Sequence, residues 1–153
     1  MPHVAVFDFG GVVVEWNMRA LLVEFFDDPA DLDHFLTDIL TPADNFRCDL
    51  GVPLAVVVDE VIGRHPEHRV PLEAWRDRWI ETIPREIPGT ADLIDDLRAA
   101  GHRVLGLSNF SAETFPLCRA AYPVFERFDD IVVSGEHGIG KPQKKILHHI
   151  TEH

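Results

Sequence analysis

Three short polar stretches hold the side chains best suited to chemistry in this chain: Asp8 with Gly10-Gly11 behind it, Ser108-Asn109, and Gly140-Lys141-Pro142. A carboxylate such as that of Asp8 can attack phosphorus, or a carbon bearing a halide, and form a covalent intermediate. Such a nucleophile needs a cation to balance its charge and donors to hold the substrate's oxygens. Lys141 can neutralise Asp8 and a phosphoryl group together, and Ser108 can donate its hydroxyl to a phosphate oxygen. The backbone N–H groups of the Gly10-Gly11 turn can cradle the remaining oxygens. Singly, each stretch is an ordinary turn. Their order along the chain gives them weight.

The elements around these stretches place them at comparable points. His3-Val4-Ala5-Val6-Phe7 is a nearly continuous apolar run, which predicts a strand buried on both faces and ending at Asp8. Arg103-Val104-Leu105-Gly106-Leu107 predicts a second strand, ending in Ser108-Asn109. Asp130-Ile131-Val132-Val133-Ser134 predicts a third, and Lys141 lies in the loop that follows it. Ligands of parallel sheets bind beyond the carboxyl ends of the strands, so the three polar stretches converge on one edge.

Between the first strand and the rest the pattern is helical. Asn17 can cap a helix carrying Leu21, Leu22, Phe25 and Phe26, and Asp28-Pro29 opens a second with Leu32, Phe35, Leu36, Ile39 and Leu40 on one face. Pro53 to Ile62 predicts a third helix, although Val56-Val57-Val58 alone would suit a strand. Leu72, Trp75 and Trp79 mark a fourth, stopped near Pro84. After Ile87-Pro88-Gly89, Thr90 can cap a helix with Leu93, Ile94 and Leu97 inward and Gly101 closing it. A further helix covers about Glu113 to Ala121, and a last one runs toward His153.

The fold class is therefore α/β, a doubly wound parallel sheet with an inserted set of short helices. The core takes residues 1–13 and 86–153, and the helical insert takes 14–85.

Composition narrows the function. The apolar fraction of 46% with 26% charged residues is that of a globular protein, and the net charge of −12 argues against a nucleic-acid partner. An anionic substrate must be drawn in by a local positive feature. Cys48 and Cys118 have no metal or redox spacing and read as free thiols. No signal-peptide pattern opens the chain and no apolar run suits a membrane helix, which points to a cytoplasmic protein with no membrane partner. His65 and His68 flank Pro66 without a third ligand nearby, and His148-His149 would point apart on a helix.

Val6-Phe7-Asp8-Phe9-Gly10-Gly11-Val12 resembles the first motif of the haloacid dehalogenase-like superfamily, Leu107-Ser108-Asn109 the second, and Gly140-Lys141-Pro142 the third. The helical insert is similar to that superfamily's small cap, and the resemblance covers essentially the whole chain. It implies a Rossmann-like core and a phosphatase with Asp8 as nucleophile. The Gly10 carbonyl would join Asp8 as a Mg2+ ligand, Ser108 would bind phosphate, Asn109 would support the pocket and Lys141 would steady the charge. Trp16 would either face the entrance or pack between cap and core. The substrate it implies is a small phosphorylated metabolite such as a sugar phosphate.

The sequence departs from the family's pattern in two places. Many of its phosphatases carry a second aspartate two residues after the nucleophile as general acid–base, where this chain has Gly10. A water, a substrate hydroxyl or a cap residue must then serve. The fourth motif, an acidic pair after a further strand, is not found before His153. The first strand would thus lie at a sheet edge and favour a homodimer. Two other readings stand beside the phosphatase: a 2-haloacid dehalogenase using Asp8 without metal, and a truncated, non-catalytic relative acting as an interaction module.

Overall fold

The computed structural model describes residues 1–151. Its sheet contains β1 (Val4–Phe7), β2 (Arg103–Ser108) and β3 (Asp130–Val133) in the order β1-β2-β3, all parallel. The register sets Phe7 beside Gly106 and Ser108 beside Val133, so the carboxyl ends of the strands lie together. Between β1 and β2 run α1 (Met18–Leu22), α2 (Pro29–His34), α3 (Pro42–Asp49), α4 (Leu54–Arg64), α5 (Arg69–Asp77) and α6 (Thr90–Ala99). The crossover from β2 to β3 carries α7 (Phe115–Ala121), and α8 (Lys144–Thr151) follows β3. Among the described residues no helix is long and apolar enough to cross a membrane.

One continuous apolar core joins sheet and insert, running from Phe9, Ile94 and Val104 to Leu54, Val58, Leu72 and Trp75. Phe9 is its hub. The ring lies 4.9 Å from that of Phe125, 5.6 Å from Phe128 and 5.7 Å from Phe115, centroid to centroid. Aromatic contacts of this kind stabilise beyond the area they bury. Gly106 in β2 is what admits the ring: a Cβ there would stand 2.5 Å from Phe9 Cζ.

A smaller cluster packs α8, through Ile146 and Ile150, onto Leu105, Leu107 and Val132. That layer covers β2 and β3. β1 differs from the strand buried on both faces that its apolar run predicts, since Val4 and Val6 are about half exposed. A continuous apolar run records what a face tolerates, and only the neighbouring layer decides whether it is covered.

Other elements also differ from the sequence pattern. α3 has no apolar stripe to mark it in the sequence, but Thr41 and Asp44 form a reciprocal capping box at its start with N–H···O distances of 3.2 and 3.0 Å. α2 does not continue as a regular helix but opens into a π-helical turn over Phe35–Ile39, closed by the Leu40 N–H on the Phe35 carbonyl at 2.9 Å. This turn still buries Phe35, Ile39 and Leu40. Trp79 lies in a 3-10 turn after α5. Thr90 is the first residue of α6 and bonds the Val12 carbonyl rather than capping the helix. Leu93 faces solvent, because Ile94 and Leu97 already define the inward stripe.

Candidate active site

Asp8 leaves the end of β1 with its side chain half exposed. One carboxylate oxygen, Oδ1, accepts the Phe9 N–H at 2.8 Å and the Ser108 hydroxyl at 3.1 Å. The other, Oδ2, pairs with Lys141 Nζ at 3.0 Å. A fixed carboxylate with a cation on one oxygen and donors on the other has the orientation a nucleophile needs, and its openness to solvent leaves room for a substrate.

Asn109 places the lysine. Its Oδ1 accepts the Lys141 N–H at 2.7 Å and its Nδ2 donates to the Lys141 carbonyl at 3.3 Å. The end of β2 therefore clamps the loop after β3.

These residues open onto a cavity of about 220 Å³ between the strand ends and the helical insert. Asp8, Gly10, Trp16, Ser108, Asn109 and Lys141 all line it. Trp16 is 47% exposed, which sets it at the mouth. Gly11 is not on the wall: at φ 76° it forms the reversal, and its N–H donates to the Val14 carbonyl at 2.8 Å. That N–H is spent on the turn rather than left for a substrate oxygen.

The insert contributes wall residues that the motifs did not indicate. Asn45, Cys48 and Asp49 come from α3, Leu54 from α4 and Trp75 from α5. The capping box at Thr41-Pro42-Ala43-Asp44 was the sequence signal that could have found α3. Burial pushes the Cys48 thiol up to about 12, so it stays protonated at neutral pH. Burial also raises the Asp49 carboxyl, to about 7. Two wall residues hold orphaned polar atoms: Trp75 Nε1 and Thr114 Oγ1 are buried without a hydrogen-bond partner among the described residues. A second cavity of about 260 Å³ adjoins the first and shares Trp16 and Asn45 with it.

No family model and no curated protein matches the chain. Solved structures do. A HAD-family enzyme from Bacteroides thetaiotaomicron, an aspartate-to-alanine mutant in complex with magnesium and inorganic phosphate, aligns with a TM-score of 0.71 at 19% identity. The match covers 99% of this chain and 78% of that one. The L-2-haloacid dehalogenase from Xanthobacter autotrophicus, with chloropropionic acid covalently bound, aligns with a TM-score of 0.64 at 13% identity, over 99% of this chain and 64% of that one. The chain thus has the fold of the haloacid dehalogenase-like hydrolases, a parallel-sheet core with inserted helical segments.

Proposed function

We propose that this protein is a hydrolase of small phosphomonoesters, with residues 14–85 serving as a cap over a core of residues 1–13 and 86–153. The observation that carries the reading is the Asp8 carboxylate, paired with Lys141 at 3.0 Å and opening into a half-open cavity beside the Ser108 hydroxyl. Asp8 would attack phosphorus, and Ser108 and Lys141 would turn from the carboxylate to the transferring oxygens as charge develops on them. Water then releases phosphate from the aspartyl-phosphate.

The residues present suit a magnesium ion. The half-exposed Asp8 carboxylate and the Gly10 carbonyl on the same wall are hard oxygen donors. Magnesium is commonly held by one or two carboxylates, with water and a substrate phosphate completing its shell. Among the described residues no group of three or more His, Cys, Asp or Glu side chains is placed to hold a metal, so the substrate's own oxygens would matter to retention. When bound, the ion supplies positive charge against the phosphoryl oxygens. The magnesium and phosphate of the Bacteroides enzyme support this assignment.

The size of the cavity, about 220 Å³, and the polar Asn45, Asn109 and Ser111 among its lining residues support a small hydroxylated organic part, such as a sugar. The dehalogenase reading is weaker, because Lys141 is the one cation among the lining residues and is already paired with Asp8. A haloacid would bring a carboxylate of its own with no second positive group to meet it.

Two buried free thiols suit a reducing compartment, and we assign the protein to the cytoplasm. The edge of β1, paired on one side only among the described residues, is the surface through which we expect two copies to associate. Size-exclusion chromatography of the wild type and Val6→Lys checks that expectation, and a wild-type monomer would remove it.

Hydrolysis of p-nitrophenyl phosphate, with and without magnesium, tests the main reading. Activity that needs magnesium and is abolished by Asp8→Asn supports it. A folded but inactive wild type overturns it, and halide release from a 2-haloacid in EDTA would replace it with the dehalogenase.

A further inference from the structure

Transfer of a phosphoryl group to Asp8 leaves an oxyanion on the departing group, and unless that group is intrinsically stable it needs a proton. Of the titratable residues on the cavity wall, Asp8 is the nucleophile and Lys141 is its ion-pair partner. Cys48 is buried and holds its proton too tightly to act near neutrality. Asp49 remains.

Its placement is fixed from two sides. The Ser134 hydroxyl, fully buried at the end of β3, donates to the Asp49 carbonyl and accepts the Phe110 N–H at 2.9 Å. The last residue of α3 is thereby tied to the same loop that presents Ser108 and Asn109. Asn45 Nδ2 donates to Asp49 Oδ2 at 3.3 Å, and no donor among the described residues engages Oδ1. Asp49 thus lines the cavity it shares with Asp8, with one carboxylate oxygen held by Asn45.

We propose that Asp49, supplied by the insert, is the general acid that protonates the leaving group of the phosphomonoester; this rests on the phosphatase reading above. In the step, an Asp8 oxygen bonds to phosphorus while the ester P–O bond breaks and its electron pair passes to the leaving oxygen. The Asp49 proton moves to that oxygen, the alcohol departs, and the Asp49 carboxylate takes a new proton from water. Burial holds the carboxyl at about 7, so a large fraction is protonated where the reaction would run. Charged and titratable groups on α3 and on the elements packed against it are Asp44, Arg47, Cys48, Glu60, Arg64, Glu113, Glu136 and His137, with Asp8 and Lys141 on the cavity wall; burial rather than any of these charges is what raises Asp49.

The test compares kcat/KM of the wild type and Asp49→Asn on aryl phosphates running from p-nitrophenyl to phenyl. This parameter reports the steps up to departure of the phenol. The wild type should depend weakly on the leaving group. Asp49→Asn should lose less than about threefold on p-nitrophenyl phosphate, whose phenolate needs no proton, and about 100-fold or more on phenyl phosphate. The wild-type rate on phenyl phosphate should also fall above about pH 7, a limb that Asp49→Asn lacks. Equal losses across the series, or a wild type as steep as the variant, would overturn the inference and leave the phosphatase reading intact. A folded wild type inactive on every ester would overturn the phosphatase reading, and this inference with it.

Discussion

Asn109 and Lys141 hold each other through two opposed hydrogen bonds, the Lys141 N–H to Asn109 Oδ1 at 2.7 Å and Asn109 Nδ2 to the Lys141 carbonyl at 3.3 Å. The amide closes a ring with the lysine's own backbone and leaves Nζ free to reach Asp8. Position 140 is part of the fit, since a Cβ there would lie 3.0 Å from Asn109 Oδ1. The cation beside Asp8 is thus set by the end of β2, although Lys141 belongs to the loop after β3.

Asn109→Ala should therefore cost activity through misplacement rather than through loss of charge. A displacement of about 1 Å at a reacting centre can cost about 100-fold in rate, and a loss approaching that in kcat is expected on p-nitrophenyl phosphate. Asn109→Asp keeps the acceptor for the Lys141 N–H but loses the return donor, and should fall between the two. Steady-state kinetics with thermal melts as a folding control measure both, and wild-type kcat in the alanine variant would refute the clamp.

Gly106→Ala should destabilise the core. The added methyl would stand 2.5 Å from the Phe9 ring, and crowding a packed core typically costs about 1–3 kcal/mol. Urea unfolding gives the value. Phe9→Leu in the same chain should recover part of the loss if the ring is the obstacle, and should recover none if the strand itself resists the change.

Much of the site was legible because the chain writes it at strand ends. Asp8, Ser108 and Lys141 each follow an apolar run whose length and composition mark a strand, and parallel pairing then brings their ends together. What the pattern could not give was coverage. Val4 and Val6 look like core residues, yet among the described residues α8 packs on β2 and β3 and leaves them half exposed, and nothing local in β1 records that. The α3 wall was hidden for a different reason. Pro42 to Asp49 has a low apolar content and only its capping box announces a helix, so Asn45 and Asp49 had no visible link to the site.

Thr41→Ala tests that capping box. Loss of an N-cap side chain costs about 1 kcal/mol. Burial opposes ionisation of Asp44, but the Thr41 hydroxyl and N–H and the Arg64 guanidinium outweigh it and hold the carboxyl below its usual range. A carboxyl with a lowered folded-state value stabilises above its unfolded value and loses that stabilisation as pH falls through the folded one. The bond from the Asp44 N–H to the Thr41 hydroxyl persists at any pH, whereas the one from that hydroxyl to the Asp44 carboxylate weakens on protonation, so the melting temperatures of Thr41→Ala and wild type should differ most at pH 6 and less in acid below the usual carboxylate range. A gap that persists unchanged into that acid range would mean that Asp44 takes no part.

Asp49 should leave the opposite mark on stability. Its folded-state carboxyl is raised to about 7 by burial, while an unfolded aspartate titrates near 3.9. Between those values the folded chain holds a proton that the unfolded chain has released, so stability falls as pH rises from about 4 to about 7 and then levels off. The full span is on the order of 1–4 kcal/mol, partial exposure of the side chain keeping it toward the lower end. Asp49→Asn replaces the carboxyl with a neutral group of the same shape and should flatten this slope, gaining stability over the wild type at pH 8 and little at pH 4.5. Urea midpoints at the two pH values decide it. Parallel behaviour of the two proteins would mean that Asp49 titrates in the folded chain as it does in water, and would also remove the reason for assigning it a proton at neutral pH.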